Sequence, residues 1–215
     1  YSVTSNHIHL LVESNQDLEV IPRSMQLIAG RTGQEYNQRK NRKGAFWEDR
    51  YHTTAVEQNE HLLECLVYID LNMVRAGVVC HPSEWPYCGY NEIQNPRRKN
   101  VLINYDRLRY LLGFDTYDEL KSYHRDWINN YLEKEKSNFD DQWTKSIAVG
   151  SRTFIEGIKA RLGIFAKGRK VVEKEKAYEL REPPAVYNTL FEAEKEDIDL
   201  QNRLPWNVYD TILDT

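Results

Sequence analysis

The stretch from Glu60 to Ala76 constrains the fold of this chain more than any other part of its sequence. At about 100° per residue, a helix through this stretch has one apolar arc and an opposite face of polar and reactive groups. The apolar arc consists of Leu62, Leu63, Leu66, Ile69, Met73 and Val74, and the opposite face carries His61, Glu64, Tyr68, Asn72 and Arg75. Asn59 suits the N-cap and Gly77 suits the C′ position. The sequence therefore predicts one helix with a packing side and a chemically loaded side.

A second informative segment, His7 to Val12, reads as a short buried strand because it is mostly apolar and partly β-branched. Side chains alternate between the two faces of a strand, so His7, His9 and Leu11 share one face. Two imidazoles on one face suit a divalent cation. The same pair is also a frequent incidental feature of strands, so the pattern alone leaves a purely structural reading open.

Tyr68 and Asn72 stand four residues apart and therefore stack on one side of the predicted helix, with Arg75 close by. Each is ordinary alone, since a surface tyrosine usually packs and a surface asparagine is usually solvated. Near the two histidines they gain a chemical meaning. A metal held there can polarise a phosphodiester, and a phenol with a pKa of about 10 needs such help to attack near neutral pH.

Composition places the 215-residue chain among globular proteins, with a net charge of -4 and no apolar run long enough to span a membrane. The first residues show no signal peptide. Cys65, Cys80 and Cys88 are odd in number and lack a CxxC spacing, which favours free thiols in a cytosolic protein over disulfides or a zinc cluster.

Other segments of the first half support a mixed fold. Residues 22–40 predict an amphipathic helix that two glycines weaken, and residues 45–56 predict a strand or extended arm. Between Arg23 and Tyr51 there are seven basic residues and three acids, a local excess of positive charge that can hold phosphates or simply face solvent.

Beyond a linker-like stretch at residues 95–100, the chain is predicted to be mostly helical. Thr116 and Glu119 form a capping box for a helix that extends to about residue 135. Ser151 caps a second helix that Gly163 ends. Residues 167–215 are charged and poorly periodic, so part of this tail is predicted to be irregular.

Four ordered blocks resemble the REP-associated tyrosine transposases, relatives of the single-tyrosine HUH transposases of insertion sequences. The blocks are Asn6-His7-Ile8-His9-Leu10-Leu11-Val12-Glu13, Gly44-Ala45-Phe46-Trp47-Glu48-Asp49-Arg50-Tyr51, Tyr68-Ile69-Asp70-Leu71-Asn72-Met73-Val74-Arg75-Ala76-Gly77-Val78-Val79 and Glu84-Trp85-Pro86-Tyr87-Cys88-Gly89-Tyr90. The resemblance covers residues 1 to about 92. Four blocks in order are far more specific than one His-x-His pair.

The resemblance implies an α+β fold, in which residues 1–96 form a ferredoxin-like HUH nuclease domain with helices on an antiparallel sheet. The first elements of that domain would be missing, and residues 97–215 would form a mostly α-helical C-terminal region. By the same resemblance, Tyr68 is the nucleophile, and His7, His9 and Asn72 bind Mg²⁺ or Mn²⁺. Such a bacterial enzyme, cytoplasmic and associated with the nucleoid, acts in DNA transposition and recombination.

The implied reaction nicks and rejoins single-stranded, hairpin-associated DNA through a covalent 5′-phosphotyrosine, by a monomer or a homodimer with no membrane partner. The charges and aromatics in the matched blocks supply the candidate DNA contacts. The candidates for phosphate contacts are Arg39, Lys40, Arg42, Lys43 and Arg50, and those for base stacking are Trp47 and Tyr51. Core packing is the other reading of the two aromatics. Arg75 either steadies a phosphate or pairs with an acid such as Asp70.

Departures from the family pattern keep other functions open. Ser5 and Met73 stand where relatives usually have proline, although neither is a proposed ligand. A truncated or domesticated relative would bind structured single strands without cutting them, and a structural metal protein would show no preference for nucleic acid. The paired C-terminal helices and the basic run at residues 167–170 also suggest a helix-turn-helix that reads DNA.

Overall fold

The computed structural model describes residues 1–13, 19–48, 50–133, 141–174 and 177–182, and within them the fold is α+β, as predicted. The strands are β1 Ser2–Val3, β2 Ile8–His9, β3 Ala55–Val56, β4 Ser146–Gly150, β5 Lys170–Glu173 and β6 Tyr178–Arg181. The helices are α1 Val20–Arg39, α2 Glu60–Asp70, α3 Asn72–Arg75, α4 Gly89–Gln94, α5 Tyr105–Leu111, α6 Tyr117–Glu133, α7 Gln142–Lys145 and α8 Arg152–Leu162. Short 3₁₀ turns occupy Pro82–Glu84 and Gly163–Ala166.

The strands form two sheets. β1 and β2 make a small antiparallel hairpin in which Ser2 pairs with His9. The larger sheet has the order β3-β4-β6-β5, with β3 parallel to β4 and the other neighbours antiparallel. α8 covers this sheet, because Ile155 and Ile158 pack against Ile147 and Leu180 in one buried cluster.

The C-terminal region is helical as predicted, but it also supplies three strands of the larger sheet, which sequence analysis did not predict. β4 is buried along its whole length and therefore lacks the alternation that marks a half-exposed strand. The suggested helix-turn-helix is wrong, since β4 lies between α6 and α8 along the chain. Arg169 of the basic run is buried and pairs with Glu182 at 2.9 Å.

The predicted helix over residues 60–76 is present but interrupted. It begins after Asn59, as expected, and breaks at Leu71, whose φ of -79° and ψ of 3° depart from helical values. Gly77 ends α3 with a φ of +68°, the left-handed conformation expected at C′. Tyr68 and Asn72 still lie about one turn apart, because the Leu71 amide bonds to the Val67 carbonyl at 3.0 Å.

Both sides of α2 are enclosed by other elements. Leu62 and Leu66 share a buried cluster with Ile93, Leu112 and Leu120, so α2 packs directly on α6. Tyr68, on the face predicted to carry the polar groups, is buried as well. Residues before and after position 97 therefore contribute to one core, and the division at residues 96 and 97 stays a prediction.

The elements before α2 are less buried than predicted. The strand predicted for residues 7–12 is limited to β2, because β1 offers only Ser2 and Val3 for pairing. Val12 is exposed, whereas Leu11 packs against the α2 core. α1 is the predicted helix, but none of its residues is buried. Within residues 45–56 the described strand is β3 alone.

The cysteines are free, as predicted, and no described helix is both long and apolar enough to cross a membrane. Burial raises the pKa of the Cys65 thiol to about 12 and that of Cys88 to about 11. Neither buried thiol is therefore a thiolate nucleophile near neutral pH.

Replacing Gly150 with alanine is expected to destabilise the protein by about 1–3 kcal/mol, because an added methyl overpacks the end of β4. Its Cβ would lie 2.6 Å from Phe154 Cδ1 and 2.7 Å from Glu57 Cβ. Urea unfolding measures the effect. Gly157→Ala is the matched control, since its Cβ meets no atom within 4 Å and alanine favours a helix. Equal stability changes in the two variants would contradict the packing argument.

Candidate active site

The structure brings together three of the predicted site residues from three elements. The rings of His9 on β2 and Tyr68 on α2 meet edge to face, with centroids 6.3 Å apart. Asn72, the first residue of α3, places its Nδ2 at 3.0 Å from His9 Nε2. A residue near the start of the chain thus contacts the helix that carries the predicted nucleophile.

His9 is held in a form that suits a metal ligand. Burial lowers the pKa of its imidazole below the usual 6.5, and the positive charges of His7 and Arg75 lower it further. The Asn72 amide nitrogen donates to His9 Nε2. His9 Nε2 is therefore unprotonated and carries a lone pair. A neutral imidazole is the form that binds cations, and a cation at Nε2 would replace the Asn72 amide nitrogen as the partner of this lone pair.

His7 lies beside His9, in the turn that joins β1 to β2. Their rings are nearly parallel, with centroids 6.3 Å apart and planes 10° from each other. Thr4 orders the turn, because its Oγ1 donates to the His7 carbonyl at 3.0 Å and accepts from the His7 amide at 2.9 Å. His7 is exposed, so its imidazole is open to solvent and to a ligand.

The chemistry of the three side chains fits a divalent cation. His7 and His9 would supply nitrogens, and Asn72 would supply its amide oxygen, which requires the amide to turn its oxygen toward the cation. The described residues contain no group of three or more His, Cys, Asp or Glu side chains that could hold a metal. A neutral trio leaves room in the coordination shell for water and phosphate oxygens.

Tyr68 is almost enclosed, with 7% of its surface exposed. The Arg75 guanidinium lies over its ring at 4.0 Å from the centroid and donates to the Tyr68 carbonyl at 2.7 Å. The ring of Trp143 lies on another side, with centroids 6.3 Å apart. A guanidinium over the ring face is a cation–π contact that helps hold the phenol in place.

The suggested pairing of Arg75 with Asp70 is replaced by other contacts. Asp70 accepts from His124, whose Nε2 lies 2.9 Å from Asp70 Oδ2, and both side chains are fully buried. His124 belongs to α6, so this pair ties the end of α2 to the C-terminal region. Arg75 is directed to Tyr68 instead.

The other predicted DNA-contacting residues group at the end of α1 and in the loop after it. Arg39 pairs with Glu35 at 3.1 Å, and Arg42 donates to the Ala45 carbonyl at 2.8 Å. Lys40, Lys43 and Arg50 are exposed. All five basic side chains of this group are on the surface.

Trp47 is half-buried in this structure. Its Nε1 donates to the Ala29 carbonyl of α1 at 3.0 Å, and its ring meets that of Phe46 edge to face at 5.0 Å. Tyr36 in turn contacts Phe46 at 4.6 Å. The observed contacts of Trp47 are therefore those of packing, the alternative reading of this residue.

Two further histidines, His52 and His61, have structural contacts. His52 Nε2 lies 3.2 Å from the Ser146 carbonyl oxygen of β4. His61 Nε2 lies 3.6 Å from Glu57, whose carboxylate accepts from the Ser151 amide at 2.5 Å and from the Ser151 hydroxyl at 2.9 Å. Glu57 thus joins β3 to the start of α8.

Sequence analysis missed Trp143 and the pair of Asp70 with His124. Trp143 lies 75 positions after Tyr68 in a charged stretch without a regular pattern. His124 belongs to α6, and a lone histidine in a helical pattern does not indicate which residue it will contact. Residues this far apart in sequence become neighbours only through tertiary packing.

The first part of the chain is similar to a known protein family. Residues 1–72 match the family model described as "Transposase IS200 like". Searches of curated proteins and of solved structures found no match. The matched segment, about a third of the 215 residues, contains His7, His9, Tyr68 and Asn72 and is similar to IS200-like transposases.

Proposed function

We propose that this protein is a metal-dependent transposase that nicks and rejoins single-stranded, hairpin-associated DNA through a covalent 5′-phosphotyrosine. The observation that carries the proposal is the meeting of His9, Tyr68 and Asn72, within a segment that is similar to IS200-like transposases. A phenol beside candidate metal ligands and a guanidinium is suited to attack on a phosphodiester. DNA at the bacterial nucleoid would be its partner, bound by a monomer or a homodimer.

The proposed reaction has two balanced steps. Tyr68 Oη loses its proton to solvent and attacks the scissile phosphorus, so that a Tyr–O–P bond forms as the bond from phosphorus to the 3′ oxygen breaks. The departing 3′ oxygen takes up a proton and becomes a free hydroxyl. In the second step a 3′-hydroxyl from another end attacks the phosphotyrosine, which restores Tyr68 and joins the strands.

His7, His9 and Asn72 are the residues that would hold Mg²⁺ or Mn²⁺. When bound, the cation would polarise the scissile phosphate and stabilise negative charge on its oxygens. The two imidazoles favour Mn²⁺ over Mg²⁺ on ligand preference. Arg75 would stabilise the phenolate of Tyr68 and the entering phosphate, because its guanidinium already lies 4.0 Å from the ring centroid.

The basic residues at the end of α1 would bind the DNA backbone. Lys40, Lys43 and Arg50 are exposed, and Arg39 and Arg42 could exchange their present surface contacts for phosphates at little cost. Trp47 would stack on a base only after releasing its bond to Ala29. Binding should therefore weaken with salt in proportion to the number of phosphates contacted.

Covalent capture tests the proposal directly. The full chain is incubated with end-labelled single-stranded hairpin DNA and Mn²⁺, and the products are separated under denaturing conditions. We expect a protein–DNA adduct and a released strand with a 3′-hydroxyl. Peptide mapping of the adduct should place the phosphate on Tyr68, and a different modified residue would refute the proposed role of Tyr68.

Metal removal should abolish adduct formation, and Mn²⁺ should restore it. His9→Ala should lower the rate on the order of 10²-fold even in excess Mn²⁺, because it removes a ligand and the partner of Asn72. His81→Asn is the matched control, since His81 caps the turn at Pro82–Glu84 and its replacement can also accept from Ser83. Adduct formation that is unchanged in EDTA would contradict a metal-dependent reaction.

The enclosure of Tyr68 favours one competing function, a relative that binds structured single strands without cutting them. A nucleophile that is 7% exposed must gain access to the phosphodiester before it can react. The same capture experiment separates the two functions. Salt-dependent binding of hairpin DNA with no adduct in Mg²⁺ or Mn²⁺ would support the binding protein.

A further inference from the structure

We propose that Trp143 is a positioning residue for Tyr68, supplied by the part of the chain that lies outside the matched residues 1–72. This inference rests on the proposed function of Tyr68 as the nucleophile. Trp143 belongs to α7 and is half-buried beside the Tyr68 ring, at 6.3 Å between centroids and 43° between planes. The C-terminal region would thereby complete the site that the IS200-like segment begins.

Tyr68 is confined by rings and a cation on several sides. Arg75 covers its ring at 4.0 Å, the edge of His9 lies at 6.3 Å and Trp143 lies at the same centroid distance. Tyr68 shares a buried cluster with Cys65 and Ile69, against which Trp143 packs. Removing the indole would leave space for the phenol to move away from His9.

The backbone around Trp143 is fastened to both neighbouring strands. Thr54, just before β3, donates from Oγ1 to the Ser146 carbonyl at 2.6 Å and to the Trp143 carbonyl at 3.4 Å. Asp141, at the start of α7, accepts from Arg181 of β6, with Oδ1 at 2.5 Å from Nη2 and Oδ2 at 3.3 Å from Nη1. The larger sheet therefore fixes where the indole stands.

A rigid neighbour of this kind affects the chemical step more than binding. Displacement of a reacting group by about 1 Å can cost about 10²-fold in rate, because a productive approach to the phosphorus is then sampled less often. Trp143 need not touch the DNA for this effect. A residue that only fills the core would change stability and leave the rate of the folded protein unchanged.

The first test needs no catalytic activity. N-acetylimidazole acetylates accessible phenols, and peptide mass spectrometry measures acetylation of Tyr68 in the full chain. Tyr87 and Tyr110, 61% and 65% exposed, are internal references that should react in every variant. We expect little acetylation of Tyr68 in the protein without substitutions. Acetylation of Tyr68 should increase clearly in Trp143→Ala and stay low in Trp143→Phe.

Trp127→Ala is the matched control, because Trp127 is also half-buried but packs in the clusters on the α6 side of α2. It should leave Tyr68 protected. Asp141→Asn is a second way to loosen Trp143. It weakens the ion pair with Arg181 but keeps Trp143 itself and the backbone hydrogen bonds to the Asp141 carbonyl. Circular dichroism checks that both proteins are folded. If Tyr68 is then equally protected from acetylation in Trp143→Ala and in the protein without substitutions, the inference is overturned.

The second test separates positioning from packing. In single-turnover capture, Trp143→Ala should form the adduct roughly 10- to 100-fold more slowly, with an unchanged Kd for hairpin DNA and recovery of most of the rate in Trp143→Phe. Faster adduct formation in Trp143→Ala would show that Trp143 obstructs the reaction of Tyr68, and it would overturn the inference. If the unmodified protein forms no adduct, the proposed function fails, whereas the acetylation result still decides whether Trp143 holds the ring.

Discussion

Tyr68→Phe is expected to eliminate the covalent protein–DNA adduct, with a loss on the order of 10³-fold or more in the rate of strand cleavage. The substitution removes only the phenolic oxygen, which forms the new bond to phosphorus in the proposed reaction. The ring can keep its contacts with Arg75, His9 and Trp143. Denaturing gels of the capture reaction measure the effect, and DNA binding should remain.

Tyr90→Phe is the control for loss of a buried phenol. Tyr90 is 4% exposed and packs with Val67 and Leu71, in a different cluster from Tyr68. Each variant should change the free energy of unfolding by about 1 kcal/mol at most, the usual worth of one hydrogen bond. An adduct that forms at the same rate in Tyr68→Phe would remove Tyr68 as the nucleophile.

His124→Ala is expected to cost about 3–5 kcal/mol of the free energy of unfolding, the largest stability effect predicted for this chain. It leaves the Asp70 carboxylate fully buried without its imidazole partner at 2.9 Å. The other carboxylate oxygen, Oδ1, has no hydrogen-bond partner among the described atoms, so the loss of His124 is not compensated. Urea unfolding at neutral pH measures the difference.

The exposed pair of Arg152 and Glu156 gives the matched contrast. Its atoms lie 2.9 Å apart, the same distance as in the buried pair, but both side chains are mostly in solvent. Arg152→Ala should therefore produce no measurable loss of stability. Asp70→Asn should be milder than His124→Ala, because the amide oxygen of asparagine can still accept from His124 Nε2. A loss below about 1 kcal/mol in His124→Ala would contradict a stabilising role for the buried contact between Asp70 and His124.

Features governed by neighbouring residues were predictable from sequence. Thr116 and Glu119 form the predicted capping box, with reciprocal bonds of 3.1 and 3.2 Å between side chains and amides. Ser151 caps α8 through the Phe154 amide at 3.3 Å, and Gly163 ends it. These interactions span three or four residues, so a short sequence pattern contains all the required partners.

The candidate site was predictable in its residues but only partly in its surroundings. His7, His9, Tyr68 and Asn72 were selected from spacing and family resemblance, and the structure places the last three in contact. Their catalytic roles remain proposals. The enclosure of Tyr68 was not predictable, because helical periodicity assigns a face to a side chain but does not identify what packs on that face.

The helix that carries Tyr68 and the caps of the later helices were predictable from local patterns, since each follows from periodicity or from bonds between close neighbours. The α+β class was implied by the family resemblance. Only the folded structure shows the break at Leu71, the pairing of Asp70 with His124 and the position of Trp143 beside Tyr68. These features join residues from distant parts of the chain. They depend on which surfaces are buried together, which packing of the whole chain decides and no local pattern records.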